Sequence, residues 1–193
     1  MQEKDGFIAR ERWLEESWFR KEEERKLEEH HARLAREADR ERIGQATGIT
    51  DQEALLAIQE IGFSAGTIAL LPLIPPLEIA WMEGGITSRE ADYLTHCARQ
   101  QGIEAGGEAD QALTRLLSAQ PVESFFPASR QALRAQLLAS PPPDREQRRE
   151  EILTHCQEVA RLATSRFLGR QSVPDEIRHR IEQIRQELAP ASQ

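Results

Sequence analysis

The tetrapeptide Leu-Thr-His-Cys occurs twice, at residues 94–97 and 153–156, and brings together the four side chains best suited to metal or thiol chemistry. Zinc takes such ligands, but its signatures space them by two or more residues. Neighbours on a helix point about 100° apart, so His96 and Cys97 do not converge on one ion. Cys97 and Cys156 are therefore expected as small core residues with the histidines beside them. A cysteine nucleophile needs its histidine base close in space, normally not adjacent in sequence. The chain has no Gly-x-Ser-x-Gly elbow, no His-Glu-x-x-His and no phosphate-cradling glycine loop. No enzyme is expected.

Carboxylates form the second candidate group. Glu78, Glu83 and Glu90, with Asp92 nearby, crowd a short segment. A hard divalent cation needs about six to eight oxygen ligands. Glu78, Glu83 and Glu90 are the candidate ligands, and a divalent cation is the one cofactor they suggest. The segment lacks the Asp-x-Asp-x-Asp-Gly spacing of a calcium loop. Glu90 also has a structural role, closing a capping box with Thr87. Glu83 lies near the positive end of the helix that Thr87 opens. Glu78 stands between Leu77 and Ile79 in the most apolar stretch of the chain. A carboxylate there needs a partner or a raised pKa, and an arginine from the C-terminal half is expected to supply the partner.

The elements that must carry these residues are helical. Residues 7–43 contain neither Gly nor Pro and are rich in Glu, Arg, Lys, Ala and Leu, which predicts one long charged helix. Trp13, Leu14, Trp18 and Phe19 make it bulky and apolar at one end. Beyond them only Leu27, Leu34 and Ala38 continue a stripe, with His31 interrupting it. Trp13, Trp18 and Phe19 are the candidate interaction residues, since large aromatics are enriched at interface centres. Thr50-Asp51-Gln52-Glu53 predicts a helix to Ile61 stopped by Gly62. A segment over 65–71 is broken by Pro72 and resumes after Pro75-Pro76 through Trp81. Glu83-Gly84-Gly85 is a turn, and Thr87 opens a helix that stops at Gly102. Further helices are expected at about 108–118, 122–139, from Asp144 to Leu168, and from Pro174 to Leu188. Arg145, Arg148 and Arg149, interleaved with Glu146, Glu150 and Glu151, read as a solvated face. No run shows the alternation of a strand.

These elements suggest an all-α, pseudo-symmetric bundle of about seven helices behind a long N-terminal charged helix. The domains are residues 1–45 and 46–193, the latter with an acidic first half (46–105) and a second half (106–193). Residues 46–120 hold 3 basic and 10 acidic residues, most of the net charge of −8. Such acidity argues against nucleic acid and against anionic membrane surfaces. The longest uncharged run, between Glu60 and Glu78, is broken by prolines and glycines, so no membrane span is expected. Two cysteines and an N-terminus without an apolar h-region suggest a reducing, cytoplasmic setting.

One device is used twice: a helix ending in Ala80-Trp81-Met82 restarts at Thr87, and one ending in Arg166-Phe167-Leu168 restarts near Pro174, with Glu90 and Glu176 in the following first turns. Residues 73–87, Leu-Ile-Pro-Pro-Leu-Glu-Ile-Ala-Trp-Met-Glu-Gly-Gly-Ile-Thr, resemble the central motif of the tellurite-resistance B-like (TerB-like) helical family. The resemblance covers about residues 50–188, and the chain also resembles a bacterial subgroup with a charged leading helix before such a domain. It implies an all-α fold, a link to metal stress and to scaffolding near membranes, and no catalytic activity common to the family. It also implies metal-binding acids at Glu83, where the family usually has Asp, and at Glu90 and Glu78. In the second unit Gly169-Arg170 replaces the acid-glycine pair and brings a positive charge. The expected function is a non-enzymatic interaction or scaffold module in a stress response, with a protein partner, the N-terminal helix either docking by its aromatic end or holding a second copy. The alternative is a divalent-metal-binding stress-response protein.

Overall fold

The computed structural model describes residues 2–164 and 172–190, with side chains described from residue 18 onward. Among the described residues every regular element is a helix. The chain divides into two compact units, Met1–Glu41 and Arg42–Gln193.

The first unit is one helix. Helix α1 runs over Gln2–Thr47, so its last turns belong to the second unit. The sequence suggests a stop at Gly44, yet the helix passes through it. A Cβ at Gly44 would lie 3.1 Å from the Ile49 carbonyl oxygen, so glycine there permits close packing. The stop is Gly48, whose φ of 75° is left-handed and whose N–H donates to the Gly44 carbonyl at 2.8 Å. Ile43 and Thr47 are buried, which moves the domain boundary a turn earlier than 45/46. From residue 18 to 42 almost every side chain is exposed, and the helix supports itself by pairs such as Arg25 with Glu22 and Glu29.

The second unit begins with α2 (Gln52–Glu60). Its N-cap is Asp51, not Thr50: Asp51 Oδ1 accepts from the Glu53 N–H at 3.0 Å. Gly62, at φ 93°, ends it as expected. A 3₁₀ turn, η1 (Ile68–Leu73), then runs straight into α3 (Ile74–Trp81). Pro72 does not break the path, because 3₁₀ geometry accommodates it. Pro75 and Pro76 fall in the first turn of α3, where a missing N–H costs nothing. Helices α4 (Ser88–Gln100), α5 (Glu108–Ser118), α6 (Phe125–Ala139), α7 (Pro142–Thr164) and α8 (Asp175–Glu187) follow. The expected end of α7 at Leu168-Gly169, and with it Phe167 and Arg170, lies outside the described residues.

Helix α3 is the axis of the core. Ile74 to Ala80 are all buried, and α3 packs on η1, α4, α6, α7 and α8. The hairpins interlock: α4 lies on α7, and α8 lies on α3. Trp81 rests at the edge of this core and donates its indole N–H to the Leu116 carbonyl at 3.0 Å. Arg145, expected on a solvated face, instead clamps the end of α6. Its guanidinium donates to the carbonyls of Leu137, Leu138 and Ser140. No helix among the described residues is long and apolar enough to cross a membrane.

Candidate functional site

Glu78 reaches the centre of the bundle because α3 is apolar on all sides. It is 7% exposed and has the arginine partner its burial requires. Arg130, on α6 and 5% exposed, donates from Nη1 to Glu78 Oε2 at 2.5 Å and from Nε to Glu187 Oε2 at 2.6 Å. Arg180 on α8 stands 3.5 Å from Glu78 Oε1. Burial works against the charge of Arg130, but hydrogen bonds and attraction from Glu187 and Glu78 outweigh it and hold the guanidinium above its ordinary pKa. Both oxygens of Glu78 thus face arginines, which leaves a cation no place beside them.

Glu90 is committed elsewhere. Its Oε2 accepts from the Thr87 N–H at 2.7 Å and the Thr87 hydroxyl at 2.6 Å, and the Glu90 N–H donates back to Thr87 Oγ1 at 3.3 Å. The capping box is complete, with Glu90 buried in it. Glu83 stays in the turn before it. Among the described residues no group of three or more His, Cys, Asp or Glu side chains could hold a metal, so Glu78, Glu83 and Glu90 are not brought together as one ligand set. Thr87→Ala should cost about 1 kcal/mol, the usual loss of an N-cap, because the Glu90 N–H loses its acceptor and the Glu90 carboxylate keeps only the bond from the N–H of residue 87. Urea unfolding measures this; an unchanged midpoint would show that the cap carries no stability.

The two Leu-Thr-His-Cys copies do meet, though unequally. Cys97 and Cys156 are buried, as expected, while His96 points outward. His155 turns inward, placing Nδ1 2.8 Å from the Tyr93 hydroxyl and 3.6 Å from Cys97 Sγ. Burial raises the pKa of both thiols and of Tyr93, and lowers that of His155. The cluster therefore holds protonated thiols and a neutral imidazole at neutral pH, which is a poor arrangement for thiolate attack. The spacing of His155 from the buried Ile152 and Val159, three and four residues away, was the signal that it shares their inward face.

The candidate interaction residues lie on α1. Trp18 and Phe19 are each 60% exposed and pack edge to face on one another, centroids 5.2 Å apart. Leu27 and Leu34 are exposed one heptad apart. The Trp13 side chain lies outside the described set. No protein-family model, curated protein or solved structure matches the chain.

Proposed function

We propose that the protein is a non-enzymatic interaction module that associates with a second copy of itself through α1 and so presents its compact acidic unit as a scaffold. The observation that carries this reading is a helix whose large apolar side chains, Trp18, Phe19, Leu27 and Leu34, are exposed. A solvated helix needs no such groups, and a charged helix this long gains most of its stability from a packed partner. Charge favours a like partner. Residues 18–42 hold eight basic and eight acidic side chains, so the helix neither repels its own copy nor selects a strongly charged stranger. At 3.6 residues per turn Trp18 points almost opposite to Leu27, which gives α1 two separate apolar faces.

Light scattering on the full chain is expected to give the mass of two chains, and Leu27→Glu with Leu34→Glu the mass of one. Both substituted positions are exposed and outside the compact unit, so thermal unfolding of that unit should not move. A single-chain mass for the unaltered protein at concentrations of tens to hundreds of micromolar, roughly the range of weak helix pairing, would reject self-association.

A further inference from the structure

His155 also lines a cavity of about 490 Å³ where η1, α6 and α7 converge, a size within the range of small-molecule sites. Its apolar lining includes Ile68, Leu133, Leu137 and Ile152, all buried. Its polar lining is Gln101, Gln136, Arg148, Glu151 and His155, and Tyr93 and Cys97 stand behind the last of these. The phenol of Tyr93 and the thiol of Cys97 keep their protons, and both face Nδ1 of His155. A phenol that donates to Nδ1 leaves the hydrogen of the neutral ring on Nε2. Nε2 makes no hydrogen bond to any described residue. Arg148, exposed at the rim two turns earlier on the same face of α7, has one long contact, 3.4 Å to Ser140 Oγ, and no carboxylate partner among the described residues. Its neighbours differ: Arg149 is paired with Glu146 and Glu150, and Arg145 is spent on the end of α6. Gln136 adds a buried Oε1 without a hydrogen-bond partner. Glu151 lies between Arg148 and His155, its carboxylate accepting from Gln147 Nε2 at 2.9 Å.

We propose that this cavity binds a medium-chain monocarboxylate bearing a hydroxyl at its far end. Arg148 receives the carboxylate at the mouth, the carbon chain covers Ile68, Leu133, Leu137 and Ile152, and the Nε2–H of His155 donates to the terminal oxygen. Seven residues of helix separate Arg148 from His155, about 10 Å along the axis, which sets a chain of about eight carbons at roughly 1.25 Å per bond. A hydroxyl both accepts and donates, so it can also meet the unpartnered oxygen of Gln136.

Calorimetry on the full chain with 8-hydroxyoctanoate, octanoate and 1,8-octanediol separates these contributions. The hydroxy acid should bind about fivefold more tightly than octanoate, the worth of one hydrogen bond, and about tenfold more tightly than the diol, the worth of one charge-assisted contact. Arg148→Ala should abolish the preference for acid over diol, and Ala69→Phe, an exposed position on the rim, should weaken all three ligands. Nitrogen-15 spectra of the histidines should show the Nε2–H form at His155. No heat at 5 mM ligand, on the order of the weakest useful affinity, would overturn the proposal. Equal affinity for all three probes, or an Nδ1–H ring at His155, would overturn it as well. The three-probe comparison uses the unaltered protein and so does not depend on any variant folding.

Discussion

Arg130→Ala is expected to destabilise the protein by about 3 kcal/mol, the lower end of the cost of breaking a buried ion pair. The size follows from what the substitution leaves behind. Glu78 stays 7% exposed with only Arg180, at 3.5 Å, to answer its charge. Glu187, with half its side chain in solvent, returns to water at little cost. The reverse change is milder. Glu78→Gln leaves Arg130 its bond to Glu187, so it should cost less than Arg130→Ala. The double variant should recover part of the single losses, because it leaves no unanswered charge in the core. Chemical denaturation of the four proteins completes the cycle, and strictly additive losses would mean that the pair is not coupled. Against a typical total of about 5–15 kcal/mol, Arg130→Ala leaves a domain close to its limit.

Leu77→Ala should cost about 4 kcal/mol, in the upper part of the range for a buried leucine. The cavity term decides this. Leu77 is 0% exposed on a helix held by η1, α4, α6, α7 and α8, so walls anchored by five elements have little room to collapse inward. Leu138→Ala is the control: Leu138 is exposed at the end of α6 and should change stability by about 0.5 kcal/mol or less. Comparable losses at both positions would mean that α3 is not the packing centre.

Much of the architecture was legible in the sequence because it rests on local chemistry. Thr87 and Glu90 cap their helix through contacts three residues apart. Gly62, Gly84 and Gly85 sit at positive φ where the turns require it. The need of Glu78 for an arginine followed from burial alone. Which arginine did not, because Arg130 lies 52 residues away and only the packing of α6 on α3 brings it there. Gly44 misled because a glycine that ends a helix and one that lets chains approach look alike in sequence. Arg145 was hidden among alternating charges, and the carbonyls it clamps are absent from any side-chain pattern. For the candidate sites, Trp18 and Phe19 stood out by their size and aromaticity in a charged helix, and they are exposed. The meeting of His155 with Tyr93 depended on the register between α4 and α7, which no spacing within either helix encodes.

The way α4 lies across α7, and α8 across α3, makes the two halves of the compact unit mutual templates. Neither half owns a complete interior, since each hairpin's inner helix is roofed by the other's outer one. A nascent chain has to wait for its C-terminal helices before the first hairpin is enclosed. Severed halves would have to find each other to regain a dry centre.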